Sequence, residues 1–210
     1  MSENVKNILE WIYCIVIALI LALLFRYFIG TPTIVKQRSM FPTLKENQRL
    51  MLNRTMRITK KIPKVGDIVT FEAPNVTYYD SHEPNQTNPI AIYSNEPNGI
   101  FSKFAYYCIE ITKRSFIKRV IALEGDHVKI EDYKVYVNGE LLDEEYLSSD
   151  VITKSNNFDD FIVPEGYIFA MGDNRTKSTD CRDFGCIPIN KIEGIVVFRF
   201  WPLNVFGVIK

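Results

Sequence analysis

Histidine is scarce in this sequence, with two among 210 residues, His82 and His127. His82 lies in a Pro/Asn-rich stretch and His127 opens a strand-like run after a turn, so neither has the neighbourhood of a Ser-His-Asp triad. The four cysteines, Cys14, Cys108, Cys181 and Cys186, are too few and too unpatterned for a disulfide framework. With no CxxC pair matched by histidines, a zinc centre is not expected either. A Cys181–Cys186 bridge is geometrically conceivable, but spacing alone does not establish it. Charge of one sign is also missing: Lys+Arg and Asp+Glu both total 25, so no net field points to nucleic acid. No internal repeat is present.

What the chain does have is apolar mass. Hydrophobic residues make up 47% of it, with 14 Phe and 11 Tyr, enough for a sizeable core. Many lie in Val/Ile/Tyr/Phe-rich runs, which favours a mainly β fold. The first long run, WIYCIVIALILALLF from Trp11 to Phe25, carries no charge. As a helix, Trp11–Ile29 would be roughly 28 Å long, close to the ~30 Å hydrocarbon core. Arg26 lies near enough to its end to snorkel, and Trp11, Tyr13, Tyr27 and Phe28 suit the interfaces. A cleaved secretory signal would have a shorter apolar core ending in small residues, whereas this one ends in FRYFIG. A buried soluble helix would show a polar face. The expectation is a retained anchor at about 11–29 within an N-terminal segment 1–30, followed by a β-rich domain over 31–210. Counting Lys and Arg alone places that domain inside, although long domains translocate despite such charges.

Within the domain, Gln48–Asn53, Asp67–Glu72, Tyr106–Thr112, Phe116–Leu123, Tyr167–Met171 and Gly194–Phe200 read as strands. His127–Ile130 and Lys134–Val137 read as a hairpin. Residues 74–115 include a Pro-, Asn- and Ser-rich excursion. The spacing Asn-x-Ser/Thr occurs at several places, Asn75, Asn85 and Asn174 among them, a pattern common by chance.

Three stretches carry candidate chemistry. QRSMFPTL, Gln37–Leu44, is alone an ordinary turn. With histidine discounted, a base for Ser39 would have to be lysine. In FIKRVIAL, alternation puts Phe116, Lys118, Val120 and Ala122 on one face, apolar except for the lysine. Desolvation there lowers the lysine pKa. Working near neutrality needs a fall from about 10.4 to ~7–8, a cost of roughly 3–5 kcal/mol. An edge-strand lysine with its head in water is the competing reading. The third stretch, MGDNRTKSTDCRDFG, is either a solvated loop or a polar scaffold aiming Ser178 and Asp180 at a site.

Together these stretches resemble type I signal peptidases, membrane-bound Ser/Lys proteases. SMFPTL matches that family's SMxPTL box, Gly66–Val69 its GDIV segment, and KRVIA with Gly125-Asp126 its KRVIA…GD box. GDNRTKSTDCRDFG matches GDNRxxSxDSRxFG. A lysine at 118 and a single anchor look like the bacterial, Gram-positive branch. The resemblance implies Ser39 as nucleophile, Lys118 as general base and Ser178 as hydrogen-bond partner of the Lys118 amine. It implies Asp180, Arg182 and Arg119 as a supporting ion-pair network, and Met40 as part of the substrate cleft. The Ser39 backbone N–H would form part of an oxyanion hole. Two residues before Ser39, where some relatives carry a serine whose hydroxyl completes the oxyanion hole and others a glycine, this chain has Gln37, whose side-chain amide could donate on a longer stem. Cys181 replaces the serine of the DSR triplet. The implied activity is removal of signal peptides from exported preproteins after small residues, as at Ala-x-Ala sites, without metal or organic cofactor. The implied partners are those preproteins and the lipid bilayer, with a secretion translocon or pilin substrates as further candidates. The implied location is the outer face of the cytoplasmic membrane, against the charge count. Rival readings are a soluble Ser/Lys autoprotease, a catalytically idle or pilin-dedicated assembly factor, and a binding module. Residues 74–115 and 131–164 match none of the boxes.

Overall fold

The computed structural model describes residues 3–93, 97–110, 113–148 and 150–209. The chain opens with α1, Glu3–Phe28, 26 residues with none buried and a mean hydropathy of 2.7 over its most apolar window. By length and composition it can cross a membrane. Beyond it the chain turns into strands: β1 Gly30–Ile34, β2 Arg49–Asn53, a short α2 Met56–Thr59 and β3 Ile68–Glu72. Next come α3 Ile100–Phe104, β4 Ser115–Leu123, the hairpin β5 His127–Glu131 and β6 Lys134–Val137, and the short β7 Glu140–Leu141. The chain closes with β8 Asp160–Ile162, β9 Tyr167–Met171, α4 Cys181–Phe184, β10 Ile187–Pro188, β11 Ile192–Trp201 and β12 Gly207–Val208.

Two antiparallel sheets result. The larger runs β1-β2-β11-β3-β4-β9-β10, with β12 also paired to β11. The smaller runs β7-β6-β5-β8. The mainly β class expected from the aromatic and β-branched runs is what forms, as antiparallel pairs that leave alternate side chains free to pack. The larger apolar cluster joins strands of both sheets through Val69, Phe71, Val120, Ala122, Val128, Phe161 and Phe169. A second cluster, Val35, Met40, Leu44, Leu50, Leu52, Ile68 and Val196, lies beneath the loop that carries Ser39.

The strand expected at Tyr106–Thr112 does not form. Ala105–Ile109 instead continues α3 as a π turn, and Ile111 and Thr112 lie outside the described residues. Aromatic strand propensity depends on a sheet to pack into. Here Tyr106 Oη donates to Glu72 at 3.0 Å and the left-handed Glu110 (φ 63°) ends the turn, so these contacts hold it helical.

Candidate active site

β4 sits in the middle of the larger sheet, pairing with β3 (Val69 opposite Lys118) and with β9 (Arg119 opposite Met171). The edge-strand reading of Lys118 is therefore overturned: the side chain is 1% exposed. It shares its sheet face with Phe116 and Val120, which pack against and in the larger cluster, whereas a register shift between Val120 and Ala122 breaks the alternation before Ala122. Its Nζ lies 5.4 Å from the Phe116 ring centre. Burial pushes the Lys118 pKa down to about 8, against an upward pull from the Asp180 carboxylate.

Ser39 is buried in a loop that β1 and β2 bracket, and its hydroxyl has no hydrogen-bond partner among the described residues. Two bonds from one residue hold the loop: Asn174 N–H donates to the Ser39 carbonyl at 3.0 Å and Asn174 Nδ2 to the Arg38 carbonyl at 3.1 Å. A cleft of about 390 Å³ opens beside the serine, lined by Lys36, Gln37, Phe116, Lys177 and Thr179 among others. Phe116 thus borders both the serine's cleft and the lysine's amine.

The segment after β9 brings the third group in. The Gly172 backbone runs so close to the serines that a Cβ there would overlap Ser178 Oγ and the Ser39 carbonyl oxygen. Ser178 Oγ is buried and has no hydrogen-bond partner among the described residues, so the bond to the Lys118 amine implied by resemblance is not made in this structure. Gly172→Ala is expected to cost about 1–3 kcal/mol through this overlap. Chemical denaturation of the purified variant against the parent checks it, and an unchanged midpoint would show that the loops separate freely.

Asp180 caps α4. Its carboxylate accepts from the Arg182 N–H (3.2 Å), Arg182 Nε (2.8 Å), Arg182 Nη2 (2.9 Å) and the Gly172 N–H (2.9 Å). The Asp183 carboxylate reciprocally accepts the Asp180 N–H at 2.8 Å. Burial alone would raise the Asp180 pKa, but the Arg182 bonds, the Lys118 charge and the Gly172 N–H outweigh it and the net direction is down. Arg119, grouped by resemblance with Asp180 and Arg182, pairs elsewhere. Its Nε and Nη2 donate to Asp173 at 3.0 and 2.8 Å, and its Nη1 to the Gly66 carbonyl. Asp173 also accepts from Thr43 Oγ1 at 2.6 Å, which joins the serine loop, β4 and the post-β9 segment at one carboxylate.

Met40 is fully buried in the second apolar cluster, next in sequence to Ser39. Gln37 is exposed at the cleft. Cys181 and Cys186 are buried free thiols, and Cys181 Sγ accepts the Ala170 N–H at 3.2 Å. Burial raises both thiol pKa values. The histidines are engaged away from the serine: His82 stacks on Tyr78 and His127 Nε2 lies 2.7 Å from Asp160. Sequence reasoning missed Gly172, Asp173, Asn174 and Thr43 as the residues that register the loops. The one available signal was the Gly-Asp-Asn run placed directly after a strand.

Comparison with known proteins puts this constellation in context. Residues 8–201 match the family described as "Signal peptidase, peptidase S26". The chain is 33% identical over 215 residues to signal peptidase I S of Bacillus subtilis, covering 97% of this chain and 96% of that protein. It is 32% identical over 216 residues to signal peptidase IB of Staphylococcus aureus, covering 96% and 93%. Against the chloroplastic thylakoidal processing peptidase 1 of Arabidopsis thaliana the identity is 33% over 185 residues, and the match spans 88% of this chain and 46% of that longer protein. A crystal structure of a signal peptidase I from Enterococcus faecalis aligns with 64% of this chain and 97% of its own, at a TM-score of 0.40 and 28% identity. With most of its length matched both by the family and by full-length relatives, the chain belongs to the signal peptidase family, peptidase S26.

Proposed function

We propose that this protein is a membrane-bound serine endopeptidase that removes signal peptides from exported preproteins with Ser39 and Lys118 as its catalytic pair. The observation that carries this reading is the buried lysine. A lysine at the centre of a sheet, 1% exposed and set against the phenylalanine that also walls the Ser39 cleft, holds its amine where burial disfavours the charge. Burial lowers its pKa to about 8, so a usable fraction is neutral near physiological pH.

In the proposed sequence, Ser39 Oγ attacks the scissile carbonyl carbon while Lys118 Nζ takes the hydroxyl proton. The resulting ammonium gives that proton to the departing amine as the peptide bond breaks, freeing the mature protein and leaving the signal peptide as an ester on Ser39. Water then attacks the ester, Lys118 again taking the proton, and the signal peptide leaves with its new carboxyl end. Backbone and loop donors near Ser39, with Gln37 at the rim, would receive the negative oxygen of each tetrahedral intermediate. The cleft beside Ser39 would take small side chains before the bond. No step calls on a cofactor. Helix α1 would anchor the catalytic domain at the outer face of the cytoplasmic membrane, where a preprotein's own apolar segment is also held, raising local concentration.

Because the amine must be neutral to act, kcat/KM should rise about tenfold per pH unit below the Lys118 pKa and level off above about 8. Initial rates on a preprotein with an Ala-x-Ala site, measured across pH 6 to pH 10, test it. A profile that is flat or falls over that range contradicts lysine as base. Mass analysis of the product from the same reactions tests the specificity: the cut should follow the second alanine, and replacing that alanine by leucine should abolish it.

A further inference from the structure

The unmatched excursion contains an apolar helical segment that nothing in the described structure covers. Ile100 is 86% exposed, Phe101 90% and Phe104 47%. The other end of the same segment is firmly held. Tyr106 Oη donates to Glu72 at 3.0 Å, and Arg26 Nη2 donates to the Ile109 carbonyl at 3.1 Å. The Glu110 carboxylate meets Arg26 at 3.1 Å and Arg54 at 2.6 Å, with Arg57 at 4.0 Å. Arg26 belongs to the last turn of α1, and Arg57 also donates to the Tyr27 carbonyl and lies over the Tyr27 ring. The uncovered apolar end is therefore bound, through an ionic clasp, to the point where α1 enters the domain.

We infer that Ile100, Phe101 and Phe104 enter the near leaflet of the bilayer beside α1, as a second, non-spanning membrane contact. The inference rests on the reading of α1 as a membrane span. Continuity with that span identifies the occupant: whatever surrounds the last turn of α1 also reaches a segment clasped to Arg26. The residues have the character of an interfacial helix, with Ile and Phe outermost, Tyr106 and Tyr107 behind them and Lys103 as the only charge between Gly99 and Ile109. Tyrosine rings belong at the headgroup level, where an apolar body meets a polar tip. Two contacts side by side would stop the catalytic domain from swivelling about α1 and so fix the height of the Ser39 cleft above the lipid.

The test uses the full chain reconstituted in phosphatidylcholine–phosphatidylglycerol vesicles, with and without brominated acyl chains. Trp11→Phe and Trp201→Phe remove the native indoles, Phe101→Trp supplies the reporter, and Leu19→Trp in a separate protein supplies a control within α1. Retention of the parent rate on a water-soluble peptide substrate verifies the fold of each variant. The reporter at position 101 should lose roughly half its emission in brominated vesicles, most with bromines near the headgroup end, as expected for burial of ~5–10 Å. It should be poorly quenched by aqueous iodide. Loss of bromine quenching with full iodide quenching would mean the segment stands in water, and protection from both would mean a protein covers it. Either result overturns the inference. If the Leu19→Trp control is quenched by bromine and the position-101 reporter is not, only this inference fails. If neither is quenched, the reading of α1 as a span fails with it.

Discussion

Lys118→Met should leave a folded protein whose signal-peptide cleavage falls on the order of 10⁴-fold or more, because members of a nucleophile–base pair act as a unit. The same change should make the protein more stable. The lysine is 1% exposed and its pKa is pushed down to about 8 by burial. Between about 8 and the ordinary lysine value the unfolded chain holds a proton that the folded chain has lost, so stability rises with pH across that window. Below about 8 the folded protein carries the buried ammonium and its cost is present in full. Methionine has similar length and no charge to desolvate, so at pH 7 the variant should gain roughly 1–3 kcal/mol in unfolding free energy. Activity and stability moving in opposite directions is the signature of a group kept for chemistry. A lysine retained for structure would cost both on removal. Parallel rate and denaturation measurements on the parent and Lys118→Met distinguish the two.

Asp180→Ala should produce the largest loss of stability. Its carboxylate is fully buried and receives four hydrogen bonds, three of them from Arg182, itself 1% exposed. Removing it leaves a buried guanidinium without its counter-charge, a change that costs about 3–5 kcal/mol. The α4 cap and the anchor for the Gly172 N–H go with it, adding about 1 kcal/mol. For a domain of this size that corresponds to a fall in Tm on the order of 10 °C. Combining Asp180→Ala with Arg182→Met removes both charges and should recover part of the loss. Thermal unfolding of the single and double variants measures this, and a double variant no better than Asp180→Ala would show that the hydrogen bonds rather than the stranded charge set the cost. Activity should fall as well, since Gly172, held by Asp180, passes against Ser39 and Ser178.

The parts of this arrangement that could be read in the sequence are those set by local pattern. Alternation in FIKRVIAL put Lys118 on an apolar face, and β4 forms as a strand that keeps this alternation for Phe116, Lys118 and Val120 and loses it at the register shift before Ala122. Alternation could not say whether β4 was an edge or a centre, because that depends on β3 and β9 pairing from opposite sides. Arg119 was grouped with Asp180 and Arg182, whereas it bonds Asp173, whose second partner Thr43 lies 130 residues away. No local spacing encodes a bond of that range. The aromatic run at Tyr106–Thr112 looked like a strand because strand propensity was read without knowing what the aromatics would touch. Tyr106 meets Glu72, the Ile109 carbonyl meets Arg26 at the end of α1, and the segment is helical over Ala105–Ile109. β1 went unread because GTPTI carries a glycine and a proline, and it forms because β2 pairs with it along its whole length. The Asp180–Asp183 capping box was only half legible, since Asp180 is a usual N-cap but Asp183 stands at N3, where the familiar pattern has Glu or Gln.

The central claim is that the Ser39 hydroxyl performs the cleavage. Purified parent protein and Ser39→Ala, both in detergent with a preprotein carrying an Ala-x-Ala site, test it by mass analysis of the products. The parent should release a mature fragment beginning one residue after that site, and Ser39→Ala, with an unchanged unfolding transition, should release none. Cleavage at the same bond by Ser39→Ala at a rate near the parent's would contradict the account.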